Sequence, residues 1–171
     1  MLSESLRYWS EQGNTQDLAR LLEEAARIEP KDLLDVSDTD FIAPGEMPEK
    51  IVRQLDRAGK QTPKTPAEFA SVILHSLCAS YANALAELET VTGKKFGKVF
   101  VIGGGSQNAL LNKLTARYCQ REVIAGPVEA TAIGNLLVQV RAAGLAGPSL
   151  EDLRKIILNS DFTINSYGKE G

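Results

Sequence analysis

VFVIGGGSQNALLNKL, residues 99–114, holds the change of hydrophobic period on which the fold turns. Four apolar residues run without alternation into Gly103, Gly104 and Gly105. An apolar run this short, closed by glycine, reads as a short, fully apolar strand, predicted over 98–102. The polar cluster Ser106, Gln107, Asn108 follows, and then Leu110, Leu111, Leu114 and Tyr118 recur at helical spacing. That spacing predicts a helix over 106–119. "REVIAG" repeats the strand signal over 121–125, and Gly126 and Pro127 turn the chain into a helix predicted over 129–143. Strand, helix, strand, helix implies a parallel pair joined by a right-handed crossover. The fold class is α/β, helix-rich with a short parallel βαβ core.

Two strands do not make a stable sheet. Either a further strand lies elsewhere in this chain or the sheet is completed by chain outside this sequence, and no segment before residue 98 has a strand pattern. "PSLEDLRKIILNS" predicts one more helix, capped by Ser149 with Glu151 and Asp152 in its first turn. The tail, 161–171, is expected to be extended or loose.

Upstream, the pattern is helical. Leu2, Leu6 and Trp9 suggest a helix over 2–12, and Leu18, Leu21, Leu22, Ala25 and Ala26 predict another over 15–28, ended by Pro30. Residues 30–66 hold five of the seven prolines and read as an irregular region packed on the core. Phe41, Ile42 and Met47 are its expected anchors, with a short helix from Pro48 to Ala58 closed by Gly59. The longest predicted helix, 66–91, carries the stripe Phe69, Val72, Ile73, Leu77, Tyr81, Leu85, Leu88 and stops at Gly93.

The 171 residues are 43% hydrophobic and 24% charged with a net charge of −3, which fits a folded domain and gives no electrostatic footprint for nucleic acid or an anionic membrane. No apolar run nears the length of a membrane span, and "MLSESLRYW" lacks the order of a secretory signal. Cys78 and Cys119 are expected as reduced thiols of a cytoplasmic protein. With His75 the sole histidine and no C-x-x-C pair, zinc is not expected. His75 reads as a structural residue of its helix.

Three glycines after a strand permit positive φ and remove the Cβ atoms that would bar a close approach. The helix that follows aims its free N–H groups and dipole at the same place, where an anion is favoured. Yet no Lys-Ser or Lys-Thr follows the glycines as in a P-loop, and Asn108 stands where the dinucleotide fingerprint needs its third glycine. The residues leave both readings open, a nucleotide contact or a bare strand-to-helix turn. In "AGPVEATAIGN", 125–135, Glu129 suits a helix start, while Ala130, Ala132 and Gly134 make room for close packing by a backbone or a ligand ring.

The two segments together, "VIGGGSQNALLNKLTARYCQREVIAGPVEATAIGNLLVQ", resemble the carboxy-terminal domain of FGGY-family carbohydrate kinases. The similarity extends back through "FIAPGEMPEKIVRQLDRAGKQTPKTPAEFASVILHSLCASYANALAELETVTGK" and "LSESLRYWSEQG". Within the family it is greatest to the branch that phosphorylates L-rhamnulose. The resemblance implies a partial actin-like, ribonuclease H-like ATPase domain, with residues 1–171 forming a portion of the carboxy-terminal kinase domain. It implies nucleotide contacts at Gly104 through the backbone, with Gly103 and Gly105 flanking it. Asn108 would lie near the α-phosphate or adenosine, Ser106 and Gln107 would help, and the 129–135 helix would pack behind the loop. Where the family often has a Gln that reaches ATP, this chain has Ser3.

The implied reaction moves the γ-phosphoryl group of Mg-ATP to the primary hydroxyl of the sugar, with Mg²⁺ carried by the nucleotide. The family's aspartate base and sugar site lie in an amino-terminal domain that this sequence does not contain, so no catalytic residue is expected here. The isolated chain is expected to be inactive, to bind nucleotide weakly at best and to self-associate through uncovered surface. Two other readings stay open: a kinase for another ketose or polyol, and a non-catalytic binding remnant.

Overall fold

The computed structural model describes residues 1–160, 162 and 164–168. It divides into two compact units, Met1–Val91 and Thr92–Gly171.

The first unit is built from α1 (Leu2–Glu11), α2 (Leu18–Ala25), α3 (Met47–Arg57) and α4 (Pro66–Thr92). Local chemistry sets each boundary. Asp17 accepts the Arg20 N–H at 2.8 Å and starts α2 later than the apolar pattern suggested. The turn after Ala25 tightens, with Arg27 N–H donating to Glu24 O and Ile28 N–H to Ala25 O, so the helix ends before the expected 28. Thr65 and Glu68 form reciprocal caps at the start of α4: Thr65 Oγ1 accepts the Glu68 N–H at 3.3 Å, and Glu68 Oε2 accepts the Thr65 N–H at 3.2 Å. Gly59 at φ +65° and Gly93 at φ +66° follow α3 and α4.

The core of this unit is Leu21, Ala25, Met47, Ile51, Leu55, Ile73 and Cys78, all buried. Trp9 meets Phe69 edge to face at 5.8 Å between ring centroids. Of the expected anchors of the irregular segment after α2, Met47 is buried and Phe41 half-buried, but Ile42 is not held. Ile42 is 80% exposed, while Leu34 is buried and its N–H donates to Ser76 Oγ at 2.9 Å. A polar bond to α4, together with Gln54 Nε2 donating to Asp35 O at 2.8 Å, holds this backbone where apolar periodicity has no purchase.

The stripe on α4 is only half right. Its first half is buried on all sides, including Ser71, His75 and Ser76, whereas Tyr81 and Leu88 lie exposed. By length and composition α4 also passes as a membrane span, with mean hydropathy 1.3 over an 18-residue window, half of it buried inside the protein. The expectation that no run nears span length is corrected for this helix. Its buried half is what a globular core helix shows.

The second unit carries β1 (Lys98–Val101), β2 (Glu122–Ala125) and β3 (Asn165–Tyr167), with α5 (Ala109–Cys119), α6 (Ala130–Ala142) and α7 (Leu150–Leu158). β1 and β2 are parallel, with Val99 opposite Val123 and Val101 opposite Ala125. β3 adds to the other side of β2, antiparallel, so the expected parallel core is part of a small mixed sheet. The tail was expected to be extended or loose, and Asn165–Tyr167 is extended and paired as a strand, the further strand that the two-stranded pattern left open. Asp161, Thr163 and residues 169–171 of that tail lie outside the described residues. Three residues with two polar side chains give no alternation to detect, and the strand forms through backbone pairing. Ser166 Oγ adds a bond to Glu122 Oε1 at 2.9 Å, and Glu122 Oε2 pairs with Lys98 Nζ at 3.0 Å.

Val123 and Ala125 are buried beneath α5, along with Leu114, Ala116 and Cys119. Phe100 and Ile102 point to the other face and are 69% and 58% exposed. Ser149 caps α7, as the sequence predicts, and Asp152 returns the bond to complete a reciprocal capping box.

Candidate nucleotide-binding loop

The loop between β1 and α5 is not a slack connection. Residues Gly103–Gln107 wind into a single 3₁₀-helical turn, and Asn108 leads directly into α5. The helix therefore begins at Ala109 rather than 106. Only Gly103 among the three glycines has positive φ, +74°, so it alone is required by backbone conformation. At Gly104 a side chain would meet nothing within 4 Å. Its role in the chain's own packing is therefore nil, and what it leaves is an exposed peptide surface.

The turn is held by three bonds. Ser106 Oγ donates to Gly103 O at 2.8 Å, the Asn108 N–H donates to Gly105 O at 3.1 Å, and Asn112 Nδ2 donates to Ser106 O at 2.9 Å. Asn108 caps α5, its Oδ1 accepting the Leu111 N–H at 3.0 Å. Its side-chain amide nitrogen is left to donate elsewhere. The leading N–H groups of a helical turn have no partner within it, and here two such starts follow one another at the end of a strand. The geometry can therefore present several donors and the positive end of a helix dipole to an anion.

The second motif meets the first. The Gly126 N–H donates to Val101 O at 2.8 Å, and a Cβ on Gly126 would sit 3.5 Å from Ile102 Cγ2, an ordinary contact. A cleft of about 410 Å³ opens between the loops, lined by Ser106 and Gln107, by Gly126, Pro127, Val128 and Glu129, by Ile133 of α6, and by Phe162 and Asn165 of the tail. Gly103, Gly104, Gly105 and Asn108 do not line it. The cleft's charged lining residue is Glu129, so an anion is better served by the amides of the turn than by the cleft.

Glu129 stands at the N-cap of α6 and makes no side-chain cap bond. Nothing among the described residues lies within 4 Å of where a Gly134 side chain would begin. The expected packing of a neighbouring backbone there is not made. Sequence reasoning missed three participants. Phe162 and Asn165 carry no motif, and Asn112, fully buried, lies off the expected stripe of Leu110, Leu111, Leu114 and Tyr118, on the side of α5 that Thr115, Ala116 and Cys119 bury. Ser3 lies exposed on α1 in the first unit. His75 is buried, its Nδ1 at 4.0 Å from Glu29 Oε1. Both cysteines are buried and free, and burial pushes the Cys119 thiol up, away from a reactive thiolate.

A parallel βαβ unit whose first strand ends in a glycine turn at a helix N-terminus places the chain among α/β proteins with a small mixed sheet. Residues 1–143 match the FGGY family of carbohydrate kinases, C-terminal domain, and the chain belongs to that family. It is 41% identical over 154 residues, 90% of its length, to the rhamnulokinase of Halalkalibacterium halodurans. It is 38% identical to the rhamnulokinases of Bacillus subtilis, over 82% of the chain, and Ligilactobacillus salivarius, over 89%. The aligned part covers 32%, 29% and 31% of those three relatives, so the chain spans less than a third of their length.

Proposed function

We infer that this chain is the nucleotide-binding portion of a rhamnulokinase, an actin-like sugar kinase of rhamnose metabolism in the cytoplasm. The observation that carries the reading is the similarity to three rhamnulokinases at 38–41% identity over most of the chain. The whole of residues 1–171 would belong to the carboxy-terminal domain. The sugar site and catalytic base would come from an amino-terminal domain in the part of the relatives that this chain does not match.

On this reading the 3₁₀ turn lies along the phosphates of Mg-ATP. Gly104 supplies the close backbone contact, Gly103 and Gly105 shape it, and the free amide nitrogen of Asn108 donates to the α-phosphate or the ribose. Bound Mg-ATP supplies the γ-phosphoryl group that passes to the primary hydroxyl of L-rhamnulose. Phosphoryl transfer rests on positioning and charge stabilisation, and this chain contributes the positioning of the nucleotide. The chain by itself is then a binder without turnover. Phe100 and Ile102, exposed beside an edge strand, favour its self-association.

Calorimetry with MgADP and MgATP tests the reading. Wild type is expected to bind, and Asn108→Ala to bind more weakly. Absence of heat from both nucleotides would reduce the glycine turn to a structural connection. Rhamnulose-dependent ADP formation by this chain alone would overturn the assignment of the base to the missing part.

A further inference from the structure

We propose that Asn112 is a positioning residue that clamps the glycine turn in its nucleotide-facing shape; the functional half of this rests on the reading above. Asn112 is fully buried on α5, one helical turn beyond the cap residue Asn108. Its Nδ2 donates to the Ser106 carbonyl at 2.9 Å. Only the amide nitrogen can face a carbonyl oxygen, which fixes the orientation of the group. The amide oxygen then finds no hydrogen-bond donor among the described residues, although it is buried.

That combination is informative. Orphaned buried acceptors are costly and uncommon, so an apolar residue of similar shape would stabilise α5 better. What the asparagine provides in exchange is one bond, and it goes to the loop. Ser106 is also the residue whose hydroxyl closes the turn onto Gly103 O at 2.8 Å. The clamp therefore acts on the last link of the 3₁₀ turn, from beneath, while Gly104 faces outward. Asn112 touches no ligand in this scheme; it sets the peptide planes that do.

Two variants separate this role from ordinary packing. Asn112→Leu removes both the clamp and the orphaned acceptor while keeping the branching at Cγ, at the cost of a larger side chain. Its α5 and β2 amides should keep their hydrogen-exchange protection, while residues 103–108 exchange about tenfold faster and MgADP affinity falls about tenfold. Asn112→Asp puts a carboxyl against the Ser106 carbonyl. Protonated, it donates as the amide does; ionised, it repels. Loop protection, corrected for intrinsic exchange, should therefore be near wild type at acidic pH and lost as pH rises, a step that wild type lacks. Should Asn112→Leu fail to fold, this pH step in Asn112→Asp decides alone. Unchanged loop exchange in the variants overturns the proposal, as does faster exchange with unaltered MgADP affinity. If wild type gives no heat with MgADP, the nucleotide reading fails, and the exchange data still decide whether the clamp exists.

Discussion

The two loops that leave the neighbouring parallel strands are built on opposite principles. The first, after β1, is tied from within: Ser106 to Gly103, Asn108 to Gly105 and to Leu111, and Asn112 to Ser106. The second, after β2, has one backbone bond back to Val101, an N-cap residue without a side-chain bond and a helical glycine facing open space. A turn locked by its own chain loses little freedom when a ligand arrives. A turn without such bonds depends on what comes to cover it. The first loop is thus the preformed contact, and the second is a surface suited to a neighbour.

The hardest test of that contrast is charge on the first loop. Gly104→Asp fits the backbone, because Gly104 has no positive φ and a side chain there meets nothing. The fold should stand while MgADP binding falls at least tenfold, since a carboxylate would occupy the anion's place. Circular dichroism checks the first expectation and calorimetry the second. Retained binding would move the phosphate contact away from this turn. Gly103→Ala comes next. Alanine at φ +74° costs about 1–2 kcal/mol, so the urea midpoint of the second unit should fall. No shift would mean that the turn relaxes freely and is less fixed than its bonds indicate.

Substitution in the second motif should act in the other direction. Gly134 lies inside α6 with room for a methyl group, so Gly134→Ala should raise stability by about 0.5–1 kcal/mol. In a kinase of full length the same change should be unfavourable if another part of the protein packs on this face. A destabilised isolated chain would show that the face is already covered.

The difference between the loops also marks what could be read from sequence. The strand, the glycines and both helices were legible, because each rests on local pattern and one or two residues. The Thr65–Glu68 pair at the start of α4 was not singled out behind the stronger signal of Pro66, whereas the Ser149 cap of α7 was legible because a short motif forms it. The 3₁₀ turn was not, since its length depends on the buried bond from Asn112, four residues past the cap. β3 was missed because Asn165–Tyr167 is short and polar and pairs through its backbone. Leu34 was missed, and Ile42 wrongly preferred, because a side-chain hydroxyl on α4 chooses the anchor of that segment. The chemistry of the loop stayed ambiguous from residue types alone, and only its pairing with the second motif resolved the family.

The smallest expected effect comes from the far ends of the two strands. Lys98 and Glu122 face each other across β1 and β2, and Ser166 of β3 donates to the same carboxylate. The Lys98 ammonium first, and the Ser166 hydroxyl second, hold the Glu122 carboxyl below its ordinary value of 4.5. A carboxyl whose folded pKa is depressed contributes its stability above the unfolded value and loses it as pH falls through the folded one. Acidification below about 4.5 should therefore loosen β2 from its neighbours, slightly, because the group is exposed and screened. β3 depends on Glu122 through Ser166, and the second loop has fewer bonds of its own. Exchange should consequently rise more at residues 126–130 than at 103–108. Lys98→Ala should flatten that acid response, and equal loosening of both loops would show that the first depends on the sheet beneath it rather than on its own bonds.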